Sequence, residues 1–538
     1  MILDAGFQET IASVNRSLCR KSISRLKPNL DRNDWLSCLV SGALLACAFP
    51  PWEISCFIWI AFIPLCFRLS EHDAHTNAWL GFCAGLLYYG GTLYWLFHVT
   101  LPGMIILVIF HSLIFAFLFA MAGKFRRKRY GIPFLALAWA LVEFLRGLGP
   151  FSFAWGFLGH ALYSWIPLLQ MTRWFGVPGL SFLVVMGNLS LAESIHFFYQ
   201  RWRVSTVKSE NTAGRKFVDG LSAHGNFAPA YLILTCCVLL FLQGYGIRIV
   251  RNTEILKKEN GIPFRIALIQ GNFAQEEKES LPPEDALAVM LHLSHQSLAE
   301  KPRLIIWPES SVTVPINYWP SLVKEIHDFA VDNSVHVLVG SVYGEYQADD
   351  AWNFYNRAYL FSPDQTIDFS VREADLAALP FYDKMHLVPY GEWIPLGRYR
   401  PFSFIETLIK EAGAGIFERG REQTIFTVDG DIRFAVAICF ESTLAGPAAE
   451  ARRQGADFIV NITNDAWFKR SAGLKQHFVQ CVFRAAENQR FVLRAANTGI
   501  TGVVNANGGM AKLIPAHAPG FCVVEIPLCR NPVARSRP

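Results

Sequence analysis

From Ala78 to Gln200 the chain carries only two carboxylates, Glu143 and Glu193. No water-soluble fold can be built on so long a stretch with so little charge, because ordinary soluble domains carry about 25% charged residues. The residues after Gly261, by contrast, have an ordinary soluble mixture of charge and apolar side chains. The overall values, 52% hydrophobic and 17% charged in 538 residues, therefore average two solvents, lipid and water. Disorder is excluded, since 14% aromatic residues is far too much buriable surface for an unfolded chain. A net charge of +5 is too mild to argue for a nucleic-acid partner, and none is expected.

An α-helix needs about 20 apolar residues to cross a hydrocarbon core of roughly 30 Å. Seven segments are candidates, near 35–51, 54–69, 78–99, 103–122, 132–158, 174–199 and 227–248. The fourth carries no formal charge. The fifth holds Pro150 and several glycines and is expected to be broken or re-entrant, which requires protein or water around its backbone. Cations set the orientation. The arm before the first segment has Arg16, Arg20, Lys21, Arg25, Lys27 and Arg32. The loop after the fourth has Lys124, Arg126, Arg127, Lys128 and Arg129, and the loop after the sixth has Arg201, Arg203, Lys208, Arg215 and Lys216. With seven crossings all three fall on the cytoplasmic side, and the region after Ile249 is extracytoplasmic. The reading is a cytoplasmic arm over 1–34, a transmembrane domain over 35–250, a water-soluble domain over 261–528 and a short tail over 529–538. No cleavable signal is expected, because the apolar run begins only at Trp35. Glu143 and Arg146, spaced i, i+3, could pair on one helix face inside the membrane.

Twelve cysteines form no framework: there is no CxxC pair and no His/Cys ligand spacing, so neither a zinc site nor a redox dithiol is expected. Beyond Pro263 short β-branched runs alternate with amphipathic stretches. Strands are expected at Phe264–Gln270, Leu304–Trp307, Val335–Ser341, Ile432–Ile438 and Phe458–Ile462, with helices near 283–299, 318–332, 443–454 and 473–490. This alternation argues for an α/β or αββα layered domain with reactive groups at strand ends.

Three strand ends carry chemistry. In Trp307-Pro308-Glu309, Pro308 stops a strand and leaves Glu309 projecting; alone, a solvated turn carboxylate is the better reading. The loop from Tyr382 to Glu392 packs Lys384 and Glu392 among aromatic and aliphatic residues, where desolvation tunes pKa values; an ordinary surface loop is the alternative. In Ile438-Cys439-Phe440-Glu441 a buried strand delivers Cys439 just before a helix. Free cysteines are usually small core hydrophobes, but a helix N-terminus stabilises thiolate.

In the order Glu309, Lys384, Cys439 these motifs resemble the nitrilase, or carbon–nitrogen hydrolase, superfamily, with Asn461 to Phe468 similar to its late strand-and-turn motif. Joined to a membrane half, Trp307-Pro308-Glu309, Lys384 through Glu392, Cys439-Phe440-Glu441 and Arg494 through Gly499 look like the apolipoprotein N-acyltransferase family. Gly42 through Trp52 and Glu143 through Gly147 are similar to that family's membrane region, and the resemblance runs from about Leu36 to Pro527. The chain departs from the pattern at Phe440, where the family commonly has Tyr, and after the hydrolase domain, where the family usually has another membrane helix and residues 529–538 carry no apolar run.

The resemblance implies a polytopic α-helical membrane domain joined to an αββα sandwich in a bacterial inner membrane, with the catalytic domain on the periplasmic side. It implies Cys439 as nucleophile, Glu309 as general base, Lys384 as oxyanion stabiliser and Glu392 as the group orienting Lys384. The acyl donor would be a phospholipid, typically phosphatidylethanolamine, and the acceptor the α-amino group of a diacylglyceryl-cysteine on an apolipoprotein; no cofactor or metal is implied. Glu441 is implied as a site residue, against a plain helix-start carboxylate. Trp307, Phe440, Trp393 and Phe381 are candidates for acyl-chain contact, against ordinary packing around the sheet. Two other classes compete: a membrane-tethered amidase acting on a small amide, and a non-enzymatic scaffold or transporter. The full Glu, Lys, Cys set argues against the second, because a binding module has no need of all three.

Overall fold

The computed structural model describes residues 30–69, 73–206, 227–346, 352–367, 376, 379–389, 391–393 and 417–529. Most of the cationic arm, the loop bearing Lys208, Arg215 and Lys216, and the tail beyond Cys529 lie outside them.

The membrane half is helical: α1 (Arg32–Cys47), α2 (Ile63–Leu69), α3 (Ala74–Leu93), α4 (Leu101–Phe125), α5 (Gly131–Arg146), α6 (Thr172–Thr206) and α7 (Ala228–Asn260). Four helices among the described residues are long and apolar enough to cross a bilayer: Ala74–His98, Leu101–Phe125, Thr172–Arg203 and Ala228–Glu254. The other three expected segments are shorter. Near 35–51 the helix has 16 residues, about 24 Å at 1.5 Å per residue. Near 54–69 a 3-10 turn, Ser55–Trp59, precedes the seven-residue α2. α5 stops at Arg146, and the chain then runs mostly irregular to Trp165, with residues 152 and 154–163 buried in protein. α6 contains a kink at Gly176, whose φ of 60° only glycine adopts without strain.

Glu143 and Arg146 do not pair with each other. Glu143 Oε1 accepts from Trp139 Nε1 (3.1 Å) and from the backbone N–H of Leu158 (2.9 Å). Arg146 donates to Tyr89 Oη (3.2 Å) and to the Trp155 carbonyl (2.7 Å). Both charges therefore hold the irregular segment after α5 in place, which gives them a structural role.

α7 runs directly into the first strand of the water-soluble half, at Gly261. Among the described residues twelve strands form two six-stranded sheets, ordered β12-β1-β2-β3-β4-β5 and β11-β10-β9-β8-β7-β6. The strands are β1 (Gly261–Gln270), β2 (Leu304–Ile306), β3 (His336–Tyr346), β4 (Trp352–Phe361), β5 (Phe381–Asp383), β6 (Ile425–Val428), β7 (Ile432–Ile438), β8 (Phe458–Thr463), β9 (Phe491–Ala496), β10 (Thr501–Val504), β11 (Met510–Ile514) and β12 (Gly520–Cys529). β1, β2 and β3 are parallel, as are β7, β8 and β9; the outer pairings are antiparallel.

Side-chain alternation distributes the strands' residues between layers. Leu304, Ile306, Phe434, Val436, Phe458 and Leu493 fill the space between the two sheets. Ile305, Trp307, Val337 and Val339 face outward onto α8 (Pro283–Ser297) and α9 (Pro320–Asp332). Ala435, Ile459 and Val492 face the other way, onto α10 (Ala445–Arg453) and α11 (Ala472–Asn488). That last layer belongs to the same apolar cluster as the membrane helices. The sandwich thus rests on the membrane half through one of its own helical layers, and the architecture is αββα.

Candidate active site

The carboxyl ends of β2, β7 and β8 and the β4–β5 edge converge on one place. After β2, Trp307 N–H still bonds the Leu338 carbonyl (2.9 Å), and then Pro308 turns the chain. The turn is pressed against β3: a Cβ on Gly340 would lie 2.3 Å from the Pro308 carbonyl oxygen and 2.7 Å from the Glu309 Cα, so only glycine fits there. Glu309 is buried, and its Oε1 accepts from Asn356 Nδ2 (2.6 Å) and from Lys384 Nζ (3.4 Å), while Oε2 accepts from the Asn464 backbone N–H (2.7 Å).

Lys384 follows β5 and is fully buried. Its Nζ also donates to Glu392 Oε1 at 2.6 Å, so the ammonium sits between two carboxylates. Burial alone would favour the neutral amine, but the charges of Glu392 and Glu309 outweigh it and hold the lysine proton well above its ordinary range. Glu392 is itself pushed up by burial, with Lys384 opposing, and its Oε2 accepts from the Val388 N–H at 2.9 Å.

Cys439 directly follows β7, in a left-handed conformation with φ 51°. The expected helix N-terminus is not directly behind it. Cys439 opens a five-residue 3-10 turn, Cys439–Thr443, and α10 begins only at Ala445. Nor does the site lower the thiol's pKa: burial, then Glu309, push it up, with Lys384 opposing. Burial and Glu309 thus both favour the protonated thiol over the thiolate.

The remaining predicted residues fall in different places. Glu441 is fully buried and accepts from Tyr382 Oη (2.8 Å) and the N–H groups of Met385 (2.8 Å), His386 (2.9 Å) and Ile438 (2.7 Å). It ties the Lys384 loop to the strand that carries Cys439. Trp307 is fully buried and donates from Nε1 to Ser294 Oγ (2.9 Å), within the layer between the first sheet and its helices. For Trp307 the packing reading therefore prevails, because alternation points it away from Ile306 and the sandwich interior. Phe440 is buried in the apolar cluster shared with the membrane helices. Phe381 is covered by the Arg357 guanidinium, 3.8 Å from its ring centroid. Trp393 reaches Phe151 of the membrane half, with ring centroids 6.3 Å apart.

Sequence reasoning missed Asn356, the donor shared by Glu309 and Glu392 (3.5 Å), since an asparagine inside a strand carries no pattern of its own. It also missed Lys278, buried with its Nζ 3.4 Å from the Glu309 carbonyl. Behind Cys439 lies a buried set of Asp465, His477 and Arg494, of which only the motifs around Asp465 and Arg494 were visible. Together these groups set a thiol, a carboxylate and a fixed cation in largely buried surroundings, an arrangement suited to acyl transfer through a covalent intermediate.

Residues 41–190 match the model of the apolipoprotein N-acyltransferase N-terminal domain, and residues 265–530 that of the carbon-nitrogen hydrolases. The chain is 32% identical to an apolipoprotein N-acyltransferase of Geobacter metallireducens over 503 residues, 90% of this chain and 88% of that protein. It is 27% identical to one of Chlorobaculum tepidum, over 91% of this chain and 90% of the relative. Among solved structures, Saccharomyces cerevisiae Nit3, a member of branch 10 of the nitrilase superfamily, matches with 17% identity and a TM-score of 0.36, covering 51% of this chain and 92% of that one.

Proposed function

Because this chain belongs to the apolipoprotein N-acyltransferase family, we propose that it moves an acyl chain from a phospholipid to the N-terminal amine of an apolipoprotein, through a thioester on Cys439. The observation that carries the reading is the convergence of Glu309, Lys384 and Cys439 in a domain whose helical layer is continuous with membrane-spanning helices. A soluble amidase has no use for that continuity. An enzyme whose two substrates both reside in lipid needs its thiol held at the bilayer surface, where tethering raises effective concentration and orients both reactants.

In the first half-reaction Glu309 takes the thiol proton as sulfur attacks the ester carbonyl of the donor. The developing oxyanion meets the Lys384 ammonium, which Glu392 keeps charged and oriented. The tetrahedral species collapses to the thioester, and the lysophospholipid alkoxide leaves with the proton from Glu309. In the second half the α-amino group of a diacylglyceryl-cysteine attacks the thioester, Glu309 accepts its proton, and the Cys439 thiol is restored as the amide forms. Phosphatidylethanolamine is the proposed donor and a bacterial inner membrane the proposed site, with the hydrolase domain on the periplasmic side. The cation-rich segment Lys124–Arg129 supports that orientation.

Purified protein, phosphatidylethanolamine vesicles and a diacylglyceryl apolipoprotein test the reading by mass spectrometry. The acceptor should gain one amide-linked acyl chain. Ammonia release from small amides with an unmodified acceptor would refute it in favour of the tethered amidase.

A further inference from the structure

Two consecutive residues of α11 join the nucleophile to the membrane half. Gln476 is buried, and its side-chain amide makes four hydrogen bonds across the boundary between the halves. Its Oε1 accepts from Trp95 Nε1 (3.1 Å) and Trp155 Nε1 (2.8 Å). Its Nε2 donates to the carbonyls of Pro50 (3.1 Å) and Thr92 (3.0 Å). Two donors and two lone pairs are the whole capacity of an amide, so this group is saturated by the membrane half. The helix approaches closely enough that a Cβ on Gly473 would sit 2.9 Å from the Trp95 ring.

His477 is the next residue. Its ring packs against Trp155 and Phe468, each with centroids 5.6 Å away. Its Nε2 lies 3.2 Å from the Cys439 carbonyl oxygen and 3.3 Å from Ser442 Oγ. Ser442 Oγ–H already donates to that same carbonyl, at 2.9 Å, so both groups facing Nε2 offer it lone pairs. These neighbours assign the proton to Nε2, making His477 a donor to the nucleophile's own peptide unit. On the other edge the bare Nδ1 accepts from Arg494 Nη2 (3.1 Å), which also donates to Asp465 Oδ2 at 2.6 Å; Asp465 Oδ1, 2.9 Å from Nδ1, takes a hydrogen bond from the ring only when it is doubly protonated. The ring is thus held on all sides.

The peptide it grips is the strained one. A cysteine at φ 51° is strained relative to an ordinary backbone and persists only where its surroundings over-determine it. Two donors on the Cys439 carbonyl, from His477 and Ser442, supply that constraint. We infer that His477 is a positioning residue that holds the Cys439 turn in its reactive conformation, and that Gln476 makes this hold depend on docking to the membrane half. The inference rests on the proposed acyl transfer through Cys439. It gives the membrane half a second task beyond retaining lipid: the nucleophile is aligned only while Trp95 and Trp155 grip α11.

The experiment uses the full chain in phospholipid nanodiscs containing phosphatidylethanolamine with a labelled acyl chain and no acceptor. The readouts are the rate and donor dependence of hydroxylamine-sensitive label appearing on Cys439. His477→Phe keeps an aromatic ring and removes the donor; His477→Gln returns an N–H near the Nε2 position. The expected result is labelling about tenfold slower at saturating donor for His477→Phe, with half-saturation unchanged within about twofold, and recovery to within about threefold of wild type for His477→Gln. Trp155→Phe, which removes one donor to Gln476, should slow labelling about threefold. Wild-type labelling by His477→Phe overturns the positioning role, as does a folded His477→Gln no faster than His477→Phe. Wild-type labelling by Trp155→Phe overturns the dependence on docking. Absence of label in the wild-type protein refutes the acyl-transfer reading itself and takes this inference with it.

Discussion

Replacing Glu441 by Gln preserves shape and removes one acceptor and one charge from the centre of the site. The carboxylate accepts three hydrogen bonds on Oε1, from Tyr382 Oη, Met385 N and His386 N, and one on Oε2, from Ile438 N, all between 2.7 and 2.9 Å. A glutamine can turn its one oxygen toward the three donors, but its NH2 then faces the Ile438 N–H, which is left without a partner. Hydrogen bonds to a charged group contribute about 1.5–3 kcal/mol and neutral ones about 1 kcal/mol. Losing one bond outright and weakening three amounts to about 3–9 kcal/mol before relaxation. Because Ile438 precedes Cys439 and Met385 follows Lys384, that strain falls on the distance between thiol and ammonium. If about 3 kcal/mol of it reaches the transition state, kcat falls by about 150-fold. The assay is steady-state acyl transfer in nanodiscs with donor varied, alongside thermal unfolding. The expected outcome is a large drop in kcat with KM changed by less than about threefold. An unchanged kcat with a raised KM would show that Glu441 binds substrate, and the argument that it ties loop to strand would be refuted.

Gly340→Ala should cut kcat at least tenfold although it removes no functional group, because its Cβ meets the Pro308 carbonyl and the Glu309 Cα; wild-type kinetics would contradict the close approach. Lys278 is buried and its pKa is pushed down to about 8 from 10.5 by burial, so its charge opposes folding below about pH 8 and the penalty fades as pH rises toward 10.5. Lys278→Met should therefore stabilise the protein at pH 7 by up to about 3 kcal/mol, a gain that thermal unfolding should show shrinking between pH 8 and 10.5. Burial alone would raise the Asp465 carboxyl, but the Arg494 guanidinium, 2.6 Å from Oδ2, holds it well below the usual carboxylate range. Its stabilisation is therefore complete above about pH 4 and is lost as pH falls toward the folded value. Asp465→Asn should be destabilised by about 3–5 kcal/mol at pH 7 and show a flatter unfolding profile below pH 4; an unchanged acid limb would contradict the buried pair.

What could be read from the sequence follows from how local each signal is. The strands Ile432–Ile438 and Phe458–Thr463 and the helices Pro283–Ser297 and Pro320–Asp332 announce themselves by periodicity, with proline at the helix starts and Gly430 and Gly455 shortly before the strands. Glu309, Lys384 and Cys439 could be found because each sits at a strand end beside a recognisable motif. The misreadings are tertiary. Counting apolar residues cannot reveal that α5 ends at Arg146 and that Glu143 and Arg146 separately hold the irregular chain beyond it. The strand-to-helix pattern at Cys439 suggested a helix dipole, whereas a 3-10 turn intervenes and burial governs the thiol. Asn356 and His477 act on groups distant in sequence, Glu309 and Cys439, and no local pattern marks them.

The proposed mechanism turns on a covalent acyl-enzyme at Cys439. Incubating the protein with phosphatidylethanolamine alone, digesting it and measuring the peptide that contains Cys439 tests this most directly. The expected result is a mass increase of one acyl chain on Cys439 that hydroxylamine removes, that a diacylglyceryl peptide discharges into an amide, and that is absent from Cys439→Ala. Acyl transfer to the acceptor by Cys439→Ala, or an acyl adduct on another residue with Cys439 free, would contradict it.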